Sequence, residues 1–258
     1  MSFEVSPELY DLLVGRYGAR LAAELIRVAG VKPGDRALDV GCGPGALTAA
    51  LVETLGPGRV TAIEPSRSFA AACRERVPGA EVLTGSAEQL PFEDGAFDVV
   101  LSQLVVNFMA DAAKGVAEMA RVARRTVAAC VWDYGGSMTA LHAFWDGARE
   151  LDPSAPDEAL TMSYCREGDL GDLFDRCGLA EVQFGSLLVE AHYAGMDDFW
   201  APFPHGVGPS GAYCVTLPPE RQAALKDAIH RRLGSPPGPF TLAARAWFAT
   251  GRTYPLAT

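Results

Sequence analysis

The chain has 258 residues, 49% of them hydrophobic and 21% charged, which is typical of a folded globular domain and unlike a disordered chain. Because clustered Lys and Arg side chains bind phosphate backbones, the formal net charge of -10 disfavours DNA, RNA and anionic membranes as partners. The opening residues lack the charged segment and apolar run of a signal peptide, and no stretch is apolar for long enough to cross a bilayer. A single cytoplasmic domain over residues 1–258 is expected.

The six cysteines include no C-x-x-C pair, and the four histidines form no ligand spacing with them. The sequence therefore predicts neither a metal site nor a disulfide framework. Most of these thiols are expected to be small buried hydrophobic groups.

The N-terminal preamble, residues 1–34, is predicted to be helical. Apolar residues recur at near-helical spacing over residues 7–29, with Gly15 and Gly18 between two predicted helices. A turn containing Pro33 and Gly34 then ends the pattern.

From residue 36 onward, apolar strands alternate with helices. This alternation predicts a parallel sheet that is covered by helices on both faces. The predicted strands are 36–40, 60–64, 81–84, 97–102 and 126–132, and the predicted helices are 45–55, 68–76 and about 112–123.

After Asp133 the alternation weakens. Residues 134–165 are predicted to be helical with one Pro-containing turn, and residues 193–240 are rich in aromatics, Pro and Gly. No repeat or low-complexity linker separates these segments from the rest, so they are interpreted as insertions on one domain. The further predicted elements are helices at 170–177 and 219–233 and strands at 182–192 and 242–248.

The strongest motif is LDVGCGPG at residues 38–45, which ends the first strand and opens a helix. Glycines there let the backbone turn tightly and approach a ligand at the carboxyl edge of the sheet. Gly41, Gly43 and Ala46 also satisfy the dinucleotide-binding pattern, so spacing alone leaves a nicotinamide cofactor and S-adenosylmethionine both open.

Asp39 stands two residues before the first of these glycines. Its carboxylate is poorly placed beside a pyrophosphate but suits a ligand that carries an ammonium group and a sulfonium. Alternatively, Asp39 only ties down the loop by hydrogen bonding to backbone.

Glu64 ends the second predicted strand, where an acidic side chain meets ribose hydroxyls in this architecture. A carboxylate can accept hydrogen bonds from two hydroxyl groups at once. The alternative is a solvated carboxylate at the end of a strand.

Together these features resemble the class I S-adenosylmethionine-dependent methyltransferase family, especially the type 11 domains similar to ubiquinone and menaquinone biosynthesis methyltransferases. The resemblance runs from about Tyr10 to Trp132 and is carried by LDVGCGPG, VTAIEPS, LTGSAEQLPFEDGAFDVVLSQ and VAACVWD. It implies a Rossmann-like, seven-stranded, mostly parallel sheet with an antiparallel last strand and helices on both faces. The hairpin that ends this fold matches the predicted strands 182–192 and 242–248.

The resemblance also implies the ligands and the use of each segment. S-adenosylmethionine would be the cofactor, S-adenosylhomocysteine its product, and a small molecule the acceptor. Residues 35–133 would form the cofactor-binding core, the preamble a lid, and residues 134–180 and 193–240 the acceptor side, with a lid-like insertion before the last strand.

By the same resemblance, the GSAE segment at residues 85–88 borders the adenine, commonly with an Asp where this sequence has Ser86. A serine hydroxyl can still donate or accept a hydrogen bond there. The residues implied for the loop and the adenine are Gly41, Cys42, Gly43, Gly45, Pro65, Phe69, Ser86, Ala87 and Glu88.

Gln103 and Val105 are implied to lie near the methionine part of the cofactor, and Tyr10, Arg16 and Tyr17 to belong to the lid. Arg16 would pair with the cofactor carboxylate in a charge-assisted contact. An ordinary surface arginine is the alternative interpretation.

Methyl transfer from a sulfonium is an in-line displacement, so an enzyme mainly has to align the acceptor and exclude water. A general base is needed only where the acceptor must lose a proton early. The catalytic candidates are Asp133, Tyr134 and His142, although a lone histidine in an apolar helix is often a packed or surface residue.

Aromatic residues are dense in the predicted acceptor side and could line a pocket for a planar or apolar molecule. Trp145, Trp200 and Phe203 are the predicted substrate contacts, with ordinary core packing as the alternative. Two other functions stay open: a nicotinamide-dependent oxidoreductase, which Asp39 and GSAEQLPF disfavour, and a protein that uses S-adenosylmethionine for chemistry other than methylation.

Overall fold

A computed structural model describes residues 6–254, so the expectations about the opening residues and about the two ends of the 1–258 domain lie partly outside the described residues. Seven strands form one sheet. They are β1 (Ala37–Val40), β2 (Val60–Glu64), β3 (Glu81–Thr84), β4 (Phe97–Gln103), β5 (Ala123–Trp132), β6 (Ala180–Tyr193) and β7 (Phe240–Arg252).

The strand order is β3-β2-β1-β4-β5-β7-β6. Strands β1 to β5 pair in parallel, whereas β7 is antiparallel to both of its neighbours, β5 and β6. Strand β6 therefore runs in the same direction as the first five. This confirms the predicted Rossmann-like sheet with an antiparallel last strand.

The helices surround this sheet. They are α1 (Pro7–Tyr10), α2 (Arg16–Ala29), α3 (Ala46–Leu55), α4 (Arg67–Arg76), α5 (Ala112–Val122), α6 (Thr139–Leu151), α7 (Glu158–Thr161), α8 (Asp169–Arg176), α9 (Met196–Trp200), α10 (Gly208–Cys214) and α11 (Pro219–Arg232). A π-helical segment, Asp11–Gly15, joins α1 to α2.

Alternate residues of the central strands face opposite sides of the sheet, as the period of a strand requires. Val99 and Leu101 of β4 pack in the cluster that contains α2, α6 and α11, whereas Val100 packs in the cluster that contains α5 and α8. Both faces are therefore apolar and covered, which is why the central strands appear in the sequence as continuous hydrophobic runs.

The preamble differs from the prediction of two helices separated by Gly15 and Gly18. The chain is helical from Pro7 to Ala29, and Gly18 lies inside α2. A Cβ at Gly18 would come within 3.1 Å of the Cβ of Ala46, so this glycine lets α2 pack against the start of α3. A close helix contact, not a break in the helix, explains the glycine.

The segment between β6 and β7 contains α9 and α10 in addition to the one helix predicted there, α11. Both extra helices are short, and α10 contains glycine and proline, which weaken any helical pattern in the sequence. No helix among residues 6–254 is long and apolar enough to span a bilayer. The division of the chain into core and acceptor-side segments and the cytoplasmic location stay predictions.

Candidate functional site

A glycine loop follows β1 at the carboxyl edge of the sheet and leads into α3. Gly41, Gly43 and Gly45 have φ angles of 75°, 54° and 103°, a left-handed conformation that costs glycine little. The backbone N–H groups of Gly41 and Cys42 donate to the carbonyl oxygen of Ile63 at 2.8 Å and 3.2 Å. The loop is thereby tied to β2 by the backbone itself.

The glycines of this loop differ in what a side chain would meet. A Cβ at Gly41 would lie 2.6 Å from both methyl groups of Val105, and one at Gly45 would lie 3.0 Å from the sulfur of Cys73. A Cβ at Gly43 would have no other atom within 4 Å, and Gly43 lines a cavity. Gly43 is therefore the point where a ligand can approach the loop backbone most closely.

Asp39 is fully buried in β1 and lines the same cavity. The hydroxyl of Thr48 in α3 donates to its Oδ2 at 2.6 Å, while its Oδ1 has no partner among residues 6–254. Burial, reinforced by the negative charge of Glu64, raises the pKa of Asp39 to about 7 although the Thr48 hydrogen bond opposes this. One oxygen anchors α3, and the other is available to a cationic ligand.

Glu64 ends β2 and is 7% exposed. Its Oε2 accepts a hydrogen bond from the backbone N–H of Gly43 and its Oε1 from that of Ser66, both at 2.9 Å. Burial raises the pKa of Glu64 against these two hydrogen bonds. Glu64 is therefore no solvated carboxylate: it braces the glycine loop from within the cavity wall.

The residues predicted for the adenine lie at the neighbouring strand end and all border the cavity: Pro65, Phe69, Ser86, Ala87 and Glu88. The Ser86 hydroxyl donates to the carboxylate of Glu88, and Ser86 Oγ accepts from the Glu88 N–H at 3.2 Å. The ring of Phe69 lies 5.4 Å from that of Tyr10 in the preamble. The preamble therefore covers this part of the cavity.

Gln103 ends β4 and turns toward the preamble. Its Nε2 donates to the carbonyl oxygen of Gly18 at 3.2 Å, while its buried Oε1 has no partner among residues 6–254. Gln103 and Val105 both line the cavity, and their place near the methionine part of a cofactor stays a prediction.

All of these groups surround one cavity of about 570 Å³, within the roughly 300–1,000 Å³ of ligand pockets. We call the part around Asp39, Gly43, Glu64, Ser86 and Gln103 the loop half. The far half is lined by Leu13, Trp132, Tyr134, Leu141, Glu158 and Ser210.

Arg16 requires a correction, because it does not line the cavity. Its guanidinium forms a two-pronged ion pair with Asp198 of α9, donates to the carbonyl oxygen of His192 and lies 4.8 Å over the ring of Tyr193. It is neither a cofactor contact in this structure nor an unpaired surface arginine. Arg16 joins the preamble to α9.

Tyr17, also predicted for the lid, is fully buried and hydrogen-bonded to the Tyr193 hydroxyl at 3.2 Å. Tyr10, by contrast, does line the cavity. The two tyrosines therefore differ in environment: Tyr10 borders the cavity, whereas Tyr17 packs against Tyr193.

Of the three catalytic candidates, only Tyr134 reaches the cavity. Asp133 Oδ2 accepts hydrogen bonds from the Ser137 N–H and from the Arg245 side chain, with all three N···O distances between 2.7 Å and 2.9 Å. These bonds fasten the end of β5 to β7. His142 is half-buried in α6 and lies outside the cavity lining. Asp133 and His142 therefore lie outside the cavity lining, and a catalytic role for any of the three stays a prediction.

The three predicted substrate aromatics also lie outside the cavity lining. Phe203 is fully buried and stacks on Phe144 with ring centroids 4.7 Å apart, and Trp200 packs against Phe203 at 5.7 Å. Trp145 is buried, and its indole Nε1 donates to Glu158 Oε2 at 2.7 Å. Phe203 and Trp145 are core residues, whereas Trp200 is partly buried and packs against the core. The indole of Trp145 contacts the cavity-lining residue Glu158.

Two polar residues of the far half were not predicted from the sequence, Glu158 and Ser210. Glu158 is 4% exposed, and burial raises its pKa to about 7 although the Trp145 hydrogen bond opposes this. In the sequence it follows Asp157 at the start of a short helix, where solvated acidic residues are common, so no signal marked it. Among residues 6–254, no group of three or more His, Cys, Asp or Glu side chains could hold a metal ion.

Comparison with known proteins agrees with this geometry. The family described as methyltransferase domain matches residues 38–130, less than half of the chain but the part that contains the glycine loop, Asp39, Glu64 and Gln103. A demethylmenaquinone methyltransferase from Bacillus cytotoxicus is 36% identical over 107 residues, which are 39% of this chain and 45% of that protein. The chain thus spans about half the length of such relatives.

A malonyl acyl-carrier-protein O-methyltransferase from Serratia marcescens is 31% identical over 163 residues, 57% of this chain and 61% of that protein. A solved structure of an S-adenosylmethionine-dependent methyltransferase from Thermotoga maritima superimposes with a TM-score of 0.53 at 17% identity, covering 95% of this chain and 93% of that chain. At that identity the likeness concerns the fold alone.

The resemblance recognised in the sequence is thereby confirmed at the level of family and fold. Residues 38–130 match the methyltransferase-domain family, and the chain has the fold of a solved S-adenosylmethionine-dependent methyltransferase.

Proposed function

We propose that this protein transfers the methyl group of S-adenosylmethionine to a small-molecule acceptor. The observation that carries the proposal is the loop half of the cavity, where the unpaired Oδ1 of Asp39 and the exposed backbone face of Gly43 border one ligand-sized space. The methyltransferase family match covers these same residues.

The residues present fit this cofactor. Asp39 Oδ1 and Gln103 Oε1 are buried acceptors without partners among the described residues, and they suit the donors of a ligand with an ammonium group. Glu64 and Ser86 supply further hydrogen-bonding oxygens to the same cavity. When bound, S-adenosylmethionine would supply an electrophilic methyl group on a positively charged sulfur.

The chain's own contribution to the reaction is alignment and exclusion of water. The preamble closes over the loop half through Tyr10 and is held to α4 by the ion pair of Arg76 with Asp11 at 2.7 Å. The far half continues the same cavity and leaves room for an acceptor next to the cofactor. An acceptor that enters there would meet the methyl group in a largely apolar space.

A small molecule is the acceptor class best supported. The net charge of -10 disfavours nucleic acids, and the cavity is of the size that holds small ligands. The named relatives include a demethylmenaquinone methyltransferase, whose name indicates a small-molecule acceptor for that protein.

Calorimetric titration of the purified protein with S-adenosylmethionine, and separately with NADH, tests the proposal. We expect saturable binding of S-adenosylmethionine alone. Binding of NADH alone would replace the proposal with the oxidoreductase alternative.

A second readout separates methylation from other uses of the cofactor. The protein is incubated with S-adenosylmethionine labelled in its methyl group and with an acceptor panel, and organic extracts are examined for label. If the protein binds the cofactor but neither transfers label to an acceptor nor forms S-adenosylhomocysteine, a non-methylating function is favoured.

A further inference from the structure

Glu158 is the ionisable group of the far half that neither the fold nor cofactor binding explains. Its side chain sits in the wall of the cavity at 4% exposure, and its one recorded hydrogen bond comes from the indole Nε1 of Trp145 at 2.7 Å. Removing a carboxylate from water is costly, and a single N–H group compensates only part of that cost. Such a group is more often kept for chemistry than for stability.

The residues around Glu158 leave it without a cationic partner. Asp157, its neighbour in sequence, forms an ion pair with Arg149 and caps α7, with its side chain accepting the Ala159 N–H at 3.0 Å. The ion pairs recorded within residues 6–254 include none to Glu158. Arg149 is therefore engaged by its neighbours, and the Glu158 side chain borders the cavity with only the Trp145 N–H as a recorded partner.

Two other ionisable groups lie near Glu158. Tyr134, on the segment after β5, lies close enough for the charge of Glu158 to raise its pKa further, although burial is the larger cause. Asp157 adds a like charge from the same helix. Asp157 does not line the cavity, so Glu158 is the one carboxylate among the residues named for the far half.

Two more polar atoms of the far half lack partners among residues 6–254. They are the hydroxyl of Ser210, which is 1% exposed, and the indole Nε1 of Trp132, which is 2% exposed. Both residues line the cavity. A buried donor without a partner is unfavourable, so a ligand oxygen in this half would satisfy groups that the protein leaves unpaired.

The rest of the far half is apolar or aromatic, with Leu13 and Leu141 among its residues. It therefore favours a largely apolar molecule. An acceptor that carries a carboxylate or phosphate would meet the like charge of Glu158 in a space of low polarity, which disfavours acidic acceptors.

We propose that Glu158 is the general base of the methyl transfer, and that the acceptor is a neutral, largely apolar molecule with a hydroxyl group on an aromatic or enolic carbon. This inference rests on the methyl-transfer function proposed above. A phenolic hydroxyl has a pKa of about 10 and is much more acidic than an aliphatic alcohol, so a carboxylate base can accept its proton more readily.

The proton and the charges balance in this step. The acceptor oxygen forms its bond to the methyl carbon while the carbon–sulfur bond breaks and its electron pair passes to sulfur. The hydroxyl proton passes to Glu158. The Glu158 carboxylate becomes a neutral carboxylic acid and the sulfonium becomes a neutral thioether. No net charge is therefore created inside an apolar cavity.

The test compares two probes that differ only in the hydroxyl group, 2-naphthol and 2-methoxynaphthalene, bound to protein saturated with S-adenosylhomocysteine. In the wild type we expect 2-naphthol to bind about tenfold more tightly than the ether at pH 8, because a charged acceptor strengthens the hydrogen bond. In Glu158→Gln, which keeps the shape and can still accept the Trp145 N–H, we expect the preference to fall below about threefold.

The pH dependence adds a readout that a structural role would not change. The preference for 2-naphthol should increase with pH as Glu158 loses its proton, and this increase should be absent in Glu158→Gln. In Trp145→Phe the loss of the indole donor should move the increase to higher pH, because that hydrogen bond lowers the pKa of Glu158. An unchanged pH profile in Glu158→Gln would overturn the assignment.

Turnover gives the last readout. Transfer of labelled methyl to 2-naphthol should fall by about a hundredfold or more in Glu158→Gln, while S-adenosylmethionine affinity changes by less than about twofold. Wild-type protein that binds S-adenosylmethionine but binds neither probe, or binds both equally, overturns the inference alone. Failure to bind S-adenosylmethionine overturns the proposed function instead.

Discussion

The two halves of the cavity are assembled in different ways. In the loop half, the central groups come from one motif at residues 39–45 and from the ends of the strands β2, β3 and β4. In the far half, Leu13, Trp132, Glu158 and Ser210 come from four segments that are distant in the sequence. The loop half combines the backbone of one glycine motif with side chains at adjacent strand ends, whereas the far half is built from side chains that only the tertiary fold brings together.

This difference has a functional meaning. In folds with an open parallel sheet, ligands usually bind at the carboxyl ends of the strands. Side chains on separate helices can vary independently, so they suit the recognition of a variable partner. The loop half therefore fits the cofactor, and the far half fits the acceptor.

Gly43→Val is the substitution from which we expect the largest loss of S-adenosylmethionine affinity in the loop half. The added side chain would enter the cavity, and we expect S-adenosylmethionine affinity to fall by more than about a hundredfold because the close backbone approach is lost. Calorimetry measures the affinity, and circular dichroism establishes that the variant is folded.

Gly30→Val is the matched control. Gly30 has a φ of 63° against 54° for Gly43, and at both positions a Cβ would have no other atom within 4 Å. The two variants thus share the backbone strain, but only Gly43 lines the main cavity. Equal loss of affinity in both, or wild-type affinity in folded Gly43→Val, would contradict the placement of the loop.

Asp133→Asn tests whether the residue after β5 is structural. The amide oxygen can take the place of Oδ2 but lacks the negative charge that pairs with Arg245, so we expect the free energy of unfolding to fall by about 2–3 kcal/mol. S-adenosylmethionine affinity, measured in the folded variant, should stay within about twofold of the wild type. Loss of affinity or turnover at full stability would instead return Asp133 to the catalytic site.

Asp39→Asn separates binding from stability in the loop half. Because the carboxyl of Asp39 has a pKa of about 7 in the folded chain, cofactor affinity in the wild type should rise as the pH increases through that value. The amide should lower the affinity at pH 8 by about tenfold and remove the pH dependence. Titrations between pH 6 and pH 8 measure both effects.

The raised pKa of Asp39 also predicts that the stability of the unliganded protein falls as the pH rises. The folded chain holds the Asp39 proton more tightly than the unfolded chain, so this group's contribution is fully present at acidic pH and is lost as the pH rises through about 7. The unliganded Asp39→Asn variant should be more stable than the wild type at pH 8, by roughly 1–2 kcal/mol, with the difference vanishing near pH 4. A variant that is less stable at pH 8 would contradict the sign.

Arg16→Met has the smallest expected effect. The ion pair with Asp198 is partly exposed, so its loss should cost about 1 kcal/mol of stability and leave S-adenosylmethionine affinity within about threefold. Asp198→Asn, which removes the other partner, should behave in the same way. A tenfold or larger loss of affinity in Arg16→Met alone would mean that Arg16 turns to the cofactor carboxylate after all.

The sequence was sufficient for the sheet and for the loop half because both depend on local patterns. Apolar strands covered on two faces give continuous hydrophobic runs, and the positive φ angles of Gly41, Gly43 and Gly45 require glycine at fixed spacing. The short helices α9 and α10 carry too few turns to produce a periodic signal.

The far half could not be predicted in the same way. Asp133 and Tyr134 are adjacent in sequence, yet one bonds to β7 and the other faces the cavity, because neighbouring side chains after a strand point in different directions. Glu158 becomes a buried base only through the packing of Trp145 from α6 and the cavity wall around it. Contacts between distant segments decide these roles, and no spacing in the sequence records them.

The most direct test of a cavity with two separate functions is a crossed titration of Asp39→Asn and Glu158→Gln. Affinity for S-adenosylmethionine and, in protein saturated with S-adenosylhomocysteine, the preference for 2-naphthol over 2-methoxynaphthalene are measured for both variants. We expect Asp39→Asn to lose about tenfold in cofactor affinity and to keep the probe preference, and Glu158→Gln to keep the cofactor affinity and lose the probe preference. Variants that lose both properties together, or neither, would contradict it.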